Sequence, residues 1–361
     1  MTDQVSVQET DAGQQVEQPS AQGNIVEVRD LHTYFYTDLG VARALNGVTY
    51  NIPREKVLGI VGESGCGKSV TALSIMNLVQ PPGKIVSGEV VLHRVGAKGA
   101  NTEVVLTDLG RHSTQMRRIR GNEIAMIFQE PMTSLNPVYT IGDQISEAFI
   151  LHQSVNKDEA RRRSILILDR VGMPYADTVV DQYPHQLSGG MRQRAMIALG
   201  LSCAPSLLIA DEPTTALDVT TEAQILDVMR GLQSDIGMSI MFITHDLGVI
   251  AQMADEVVVM YLGRVAEQAP VDSIFYDPLH PYTRALLRSI PHVGEGTKER
   301  LKPIRGVVPN PYSNISGCPF HPRCDEFMPD VCDVNVPGIT MTEDGRAVRC
   351  FLYSDRVEKN G

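Results

Sequence analysis

One run of eight residues constrains the fold more than any other: Gly62-Glu63-Ser64-Gly65-Cys66-Gly67-Lys68-Ser69 fits the pattern GxxxxGK[ST]. It follows the continuous apolar run Val57-Leu58-Gly59-Ile60-Val61 and leads into a helical pattern from Val70 to Val79. A strand buried on both faces, a glycine-rich turn and a helix, in that order, make a phosphate-binding loop. The glycines let backbone N–H groups converge on phosphate oxygens at the positive end of the helix. Lys68 would then reach the β and γ phosphates, and Ser69 a Mg²⁺ ion. A glycine-rich turn with no ligand is the plainer alternative, and the strand before it and the helix after it argue against that.

The rest of the chain agrees with such a loop. Leu207-Leu208-Ile209-Ala210 and Ser239 to Thr244 are further buried-strand runs, with helical spacing over Thr221 to Gln233 between them. Strands alternating with helices predict a mostly parallel α/β sheet. Ahead of the loop, Ile25-Val26-Glu27-Val28 and Val41 to Ile52 alternate apolar and polar residues around Asp38-Leu39-Gly40, the pattern of antiparallel strands joined by a turn. Gly88 to Leu106 adds strand-like segments interrupted by Gly96-Ala97-Lys98-Gly99, and residues 140 to 200 read as helical. Pro and turn residues accumulate after about residue 268, which marks a change of domain.

Composition excludes some partners. With a formal net charge of −11, the chain lacks the clustered Lys and Arg that a nucleic-acid backbone requires. No stretch approaches the roughly eighteen apolar residues of a membrane-spanning helix, so any membrane role must come through a partner. Residues 1–24 contain no Lys or Arg and no apolar core, which predicts a disordered tail rather than a secretory signal, and cytoplasmic residence.

A phosphate-binding loop needs a second element to hold the metal and activate water. Asp211 and Glu212 stand at the end of the apolar run from Leu207, where Asp211 would serve Mg²⁺ and Glu212 would polarise the attacking water. Adjacent acids after a strand are otherwise ordinary surface or capping residues. About twenty residues earlier, Leu187-Ser188-Gly189-Gly190-Met191-Arg192-Gln193-Arg194 resembles the LSGGQ signature of ABC ATPases.

That resemblance implies roles for further residues. Ser188, Gly189 and Gly190 would face the γ-phosphate of a nucleotide held by another subunit. Gln129, in Ile127-Phe128-Gln129-Glu130-Pro131, would sense Mg²⁺ and water, and His245 would contact the γ-phosphate. Asp218, in Ala216-Leu217-Asp218, and Val70 join the nucleotide set, with Phe35 stacking on adenine and Tyr34 and Tyr36 as rivals. The implied fold is an ABC ATPase core over 25–268, with an antiparallel β-subdomain and a helical subdomain over about 130–200, then an accessory domain over 269–361.

Three stretches narrow the resemblance to the oligopeptide and dipeptide importer ATPases: Lys68 to Met76, Ile127 to Pro137, and His280-Pro281-Tyr282-Thr283. The likeness runs from about residue 25 to 353, and His93 to Thr114 is longer than is usual there. It is closer to the D-type than the F-type subunit. It implies ATP hydrolysis coupled to import of peptide or another small solute, and a heterodimer with an F-like ATPase. Two transmembrane permeases, an extracytoplasmic solute-binding protein and a peripheral place on the cytoplasmic face of the inner membrane also follow. Two rivals are a soluble ABC ATPase of DNA repair or translation and a metal-binding regulatory protein. The single cassette, without a heptad array or basic arm, disfavours the first, and the full ATPase set disfavours the second.

Four cysteines crowd into the last stretch of the chain. Cys318, Cys324, Cys332 and Cys350 stand at intervals of five, seven and seventeen residues. Four thiolates can ligate Zn²⁺ or an iron–sulfur cluster, or remain unligated. The two CxxC-like pairs usual for structural zinc are missing, and some members of the resembled family carry a [4Fe-4S] cluster at these cysteines, so the resemblance implies one here. A lobe over about 310–353 with few apolar residues would then draw folding energy from the metal.

Overall fold

The computed structural model describes residues 23–95, 101–129, 134–215, 217–289, 304–313 and 315–353. Nearly all of the expected tail and the loop Gly96–Gly99 lie outside the described residues. Strands β1 (Asn24–Thr37) and β2 (Gly40–Pro53) form the expected hairpin, with Thr37 paired to Gly40 across the turn. Every residue of β3 (Val57–Val61) is buried, and α1 (Lys68–Ile75) begins within the glycine-rich loop. This helix is shorter than the pattern to Val79, because Asn77 takes φ +49° and Pro81 and Pro82 follow. A residue with positive φ cannot continue a right-handed helix.

Strands β4 (Gly83–Val95) and β5 (Asn101–Val105) return to the hairpin and complete a four-stranded antiparallel sheet in the order β2-β1-β4-β5. After α2 (Thr114–Ile119) and β6 (Ile124–Ile127), the chain turns helical, with α3 (Ile141–Gln153), α4 (Lys157–Arg170), α5 (Ala176–Val179) and α6 (Gly189–Leu201). Thr140 and Asp143 form a capping box on α3, Asn156 caps α4, and Ser188 caps α6. Side-chain acceptors satisfy N–H groups that a helix start otherwise leaves unpaired.

The main sheet is then completed in alternation by β7 (Leu207–Asp211), α7 (Val219–Ile236), β8 (Ser239–Ile243), α8 (Leu247–Met253), β9 (Glu256–Tyr261) and β10 (Arg264–Pro270). Helices α9 (Val271–Tyr276) and α10 (Pro281–Arg288) precede two short strands, β11 (Thr340–Met341) and β12 (Ala347–Val348). The eight-stranded order is β11-β12-β10-β9-β3-β8-β7-β6, parallel from β9 to β6 and antiparallel beyond.

This is the α/β architecture the sequence predicts. One apolar core lies between the two sheets, from Val26, Leu31 and Leu45 to Leu58, Ile60 and Ile75. The other joins the opposite face of the parallel sheet to the helices, from Ile127, Ile145 and Leu168 to Phe242 and Ile250. Because β12 pairs with β10, the main sheet continues into the last part of the chain. Among the described residues, no helix is long and apolar enough to cross a membrane.

Candidate functional site

Strands β6, β7, β8 and β3 are adjacent and parallel, so their carboxyl ends lie side by side. Ligand sites of open α/β sheets form at that edge. The sequence places Gln129 just beyond β6, Asp211 and Glu212 at the end of β7, His245 just beyond β8, and the glycine-rich loop after β3. Residues far apart in the chain are therefore gathered by strand order alone.

The loop is shaped by close backbone approach. Gly62 has φ +153° and Gly67 φ +103°, and a Cβ at Gly62 would meet the Met260 carbonyl and stand 2.7 Å from Cys66 Sγ. At Gly67 it would meet the Ala44 carbonyl and lie 2.9 Å from Leu45 Cδ2. Gly67 is the N-cap of α1 and offers no side-chain cap, which leaves the first N–H groups of the helix without a side-chain acceptor. Lys68 is buried, and its Nζ donates to the Gly62 carbonyl at 2.8 Å and the Glu63 carbonyl at 3.3 Å. Its ammonium thus lies folded across the mouth of the loop. Burial pushes the Cys66 thiol up, so Cys66 fills space beneath the loop as a neutral side chain.

Ser69 Oγ donates to Asp211 Oδ1 at 3.0 Å. Burial raises the Asp211 pKa, and the Ser69 hydroxyl works against that shift. A buried carboxylate and a half-buried hydroxyl beside a buried ammonium, in a cradle that a Cβ would obstruct, suit a magnesium–phosphate group by the chemistry of their donors.

Glu212 is the centre of a second group. Gln129 Nε2 donates to its Oε2 at 2.9 Å, Thr215 Oγ1 donates to the same oxygen at 3.0 Å, and His245 Nδ1 lies 3.2 Å from Oε1. Burial pushes the carboxyl up, but the contacts from His245 and Thr215 and the charge of Lys68 outweigh it and hold its pKa below the usual value. Glu212 also takes φ +48°, and its N–H donates to the Ile243 carbonyl at 2.9 Å. Left-handed backbone is costly for a residue with a Cβ and is characteristic of functional sites.

The signature residues are placed differently. Ser188 and Gly189 are exposed, Ser188 Oγ accepts the Met191 N–H at 3.3 Å, and a Cβ at Gly189 would meet open space. Gly190 lies close to Thr221, whose Cγ2 would be 2.9 Å from a Cβ there. Asp218 caps α7, accepting the Thr221 N–H at 3.0 Å and its hydroxyl at 2.8 Å. Of the three aromatic candidates, the Phe35 ring lies against Gly83, Tyr34 donates to Asn46 Oδ1 at 3.2 Å, and Tyr36 is half exposed.

Several residues at the site escaped the sequence reading. Thr215 braces Glu212, and the buried Gln193 of α6 donates to the Pro213 carbonyl, joining the signature helix to the paired acids. Glu63 does not turn into the cradle: its carboxylate makes a two-pronged ion pair with Arg323 at 2.6 and 2.9 Å, and its N–H donates to Tyr282 Oη at 2.9 Å. Nothing in the sequence signals a pair 260 residues apart.

Comparison with known proteins agrees with this geometry. The ABC transporter family profile matches residues 45–215, and the profile of the oligopeptide/dipeptide transporter C-terminal region matches residues 266–332. An oligopeptide transport ATP-binding protein of Bacillus subtilis, AppD, is 49% identical over 92% of this chain and 97% of its own. The chain belongs to the ABC transporter family. The dipeptide transport ATP-binding protein DppD of Escherichia coli is 45% identical over 92% of this chain and 97% of its own. Among solved structures, a dimeric bacterial ABC transporter cassette matches with TM-score 0.59 and 25% identity, covering 68% of this chain and 98% of that one.

Two expectations are corrected. The four-cysteine [4Fe-4S] site is the first: Cys318, Cys324, Cys332 and Cys350 are free thiols, and among the described residues no three His, Cys, Asp or Glu gather as ligands for a metal ion. Burial is the chief cause of raised pKa values at Cys318, pushed up to about 11, and Cys350, pushed up to about 12, with the other cysteines of the lobe adding to it. The lobe does not need metal to supply its order. Phe320 packs on Tyr261 and Tyr282 with ring centroids 5.2 and 5.3 Å away, Arg323 clasps Glu63, and the buried Arg349 donates to the Val265 and Pro337 carbonyls, both at 3.2 Å. The second correction concerns the heterodimer with an F-like ATPase. The relatives are named as ATP-binding proteins of oligopeptide and dipeptide transport, and none of those names brings in an F-like partner.

Proposed function

We propose that the chain is the ATP-hydrolysing subunit that powers an importer of peptides or similar small solutes. The observation that carries this reading is the alignment of the glycine-rich loop, the Ser69–Asp211 pair and the Glu212 group along one sheet edge. Lys68, Ser69 and the loop N–H groups bind the phosphates of ATP. Mg²⁺, held by Ser69, Asp211 and Gln129, would supply neutralisation of charge on those phosphates. Glu212 accepts a proton from the attacking water, and the contacts that depress its pKa keep it ionised for that task. Gln129 and His245 orient its two oxygens. Phe35 takes the adenine ring.

Ser188 and Gly189 are exposed at the start of α6, with Gly190 partly covered by Thr221 behind them, and this end of the helix would meet a nucleotide held by a second cassette. Asp218, the N-cap of α7, completes the nucleotide-binding set. Membrane permeases and a solute-binding protein complete the importer, with this chain peripheral on the cytoplasmic side. The proposed division is an ATPase unit over 25–268 with its helical part at about 130–200, and a C-terminal unit over 269–361.

The test is Glu212→Gln in the assembled transporter. ATP binding should persist while turnover falls about a hundredfold or more, the scale of a lost catalytic base. Turnover near that of the parent would sink the assignment.

A further inference from the structure

The two-pronged contact between Glu63 and Arg323 joins the second residue of the phosphate-binding loop to the C-terminal lobe. Arg323 is 4% exposed at its side chain and Glu63 22%, and their separations are 2.6 and 2.9 Å. Arg323 is itself fixed: its Nε donates to the Arg305 carbonyl at 2.9 Å and its Nη1 to Tyr261 Oη at 3.3 Å. The Glu63 N–H donates to Tyr282 Oη, and the Tyr282 ring packs on Tyr261 and Phe320 with centroids 4.7 and 5.3 Å away. Both the N–H and the carboxylate of Glu63 therefore end on groups outside the loop, while its carbonyl stays within it.

We propose that Arg323 and Tyr282 are positioning residues for nucleotide binding, through which the C-terminal lobe sets the shape of the phosphate-binding loop. The inference rests on the reading that this loop binds ATP. Lys68 Nζ is bonded to the carbonyls of Gly62 and Glu63, so a shift of Glu63 moves the ammonium that must meet the phosphates. Glu63 N–H donates to Tyr282, which fixes the orientation of that peptide, and its carbonyl accepts the Cys66 N–H at 3.2 Å to close the turn. Fork-to-fork Arg–carboxylate contacts fix direction as well as distance, which a Lys cannot reproduce. Coupling of this kind is reciprocal: if the docked lobe favours ATP, bound ATP must favour the docked lobe.

The experiment measures Mg–ATP affinity calorimetrically on the full chain, with Lys68→Ala as control. Tyr282→Phe keeps the ring in its aromatic contacts and removes only the acceptor of the Glu63 N–H. Arg323→Lys keeps charge and removes the fork. Each should weaken ATP binding about tenfold, within the range of coupling between contacting groups. Glu63→Gln combined with Arg323→Lys should weaken it no further than Arg323→Lys alone. As a second readout, mass spectrometry would follow alkylation of Cys318, Cys324 and Cys350. Saturating Mg–ATP should slow their labelling in the parent and lose that effect in Tyr282→Phe. Unchanged affinity in both Tyr282→Phe and Arg323→Lys, with Lys68→Ala defective, would overturn the inference while leaving the ATP site intact. Parent-like affinity in Lys68→Ala would instead remove the reading on which it rests.

Discussion

The phosphate-binding loop and the C-terminal lobe meet at Glu63, yet they are specified in different ways. The loop is a local structure. Its glycines, Lys68 and Ser69 lie within eight consecutive residues, its strand precedes it and its helix follows, so the elements of the cradle are all neighbours in sequence. The lobe is a structure of distant contacts. Phe320 needs Tyr261 and Tyr282, Arg323 needs Glu63, and β12 needs the edge of β10. A local structure can be read from neighbours in sequence, whereas a lobe of distant contacts shows only its composition until the fold is known.

Removing Phe320 should separate these regions most sharply. Its ring is 3% exposed, and truncating such a side chain costs about 3–5 kcal/mol through lost transfer and cavity terms. Phe320→Ala should lower the stability of the lobe by that amount, seen as faster hydrogen exchange over residues 318–350, with the parallel strands β3 and β8 still protected. Cys324→Ala should cost much less, because the thiol there is one packing group among several. A larger loss in Cys324→Ala than in Phe320→Ala would reverse the present account of what orders the lobe.

The same contrast explains how far the sequence could be read. The parallel sheet and the antiparallel hairpin followed from apolar runs and alternation, and the glycine-rich loop and paired acids stood out as residue types suited to nucleotide chemistry, while their meeting at one sheet edge needed the strand order. The end of α1 was missed because Asn77 and the two following prolines override an apolar pattern that continues to Val79. Thr215 and Gln193 were missed because a Thr and a Gln near a motif carry no signal until the turn brings them to Glu212 and Pro213. In the lobe, four cysteines drew attention to metal, while the groups that hold it, Phe320, Arg323 and Arg349, look ordinary in sequence. Polarity suggested a missing core, although Phe320 finds one on Tyr282 of α10 and Tyr261 of the main sheet.

Acid should attack the lobe side of this boundary first. His280 is fully buried, its Nδ1 accepts the Tyr282 N–H at 3.0 Å, and burial, with Arg284 and Arg349 nearby, lowers its pKa from 6.5 to about 3. Between those values the unfolded chain binds a proton that the folded chain does not, so stability is intact above about pH 6.5 and falls as pH drops toward 3. The slope from this one group is about 1.4 kcal/mol per pH unit, or roughly 2 kcal/mol by pH 5. Glu267, whose carboxylate accepts the Leu279 and His280 N–H groups at 2.8 and 2.9 Å, has a pKa raised by burial and offsets part of the loss at lower pH. Denaturant melts at pH 7 and pH 5 should show the difference, and His280→Asn should flatten it. An equal slope in the variant would exclude His280 as its source.

The smallest effect tests whether the motif region is as local as it looks. Asp218 was assigned to the nucleotide by resemblance, but in this chain its oxygens are engaged with the Thr221 N–H and hydroxyl at the start of α7. Those bonds hold its carboxyl below the usual carboxylate range. Loss of such an N-cap costs about 1 kcal/mol, and Asn replaces Asp there with little penalty. Asp218→Ala should therefore lower the unfolding free energy by about 1 kcal/mol, and Asp218→Asn by only a few tenths. If the cap is the whole of its role, ATP turnover in the assembled transporter should follow stability and be restored in Asp218→Asn. Turnover that stays low in Asp218→Asn at parental stability would mean that the carboxylate acts on something beyond its own helix. In that case the start of α7 belongs with the exposed start of α6, as surface whose purpose lies in a second cassette.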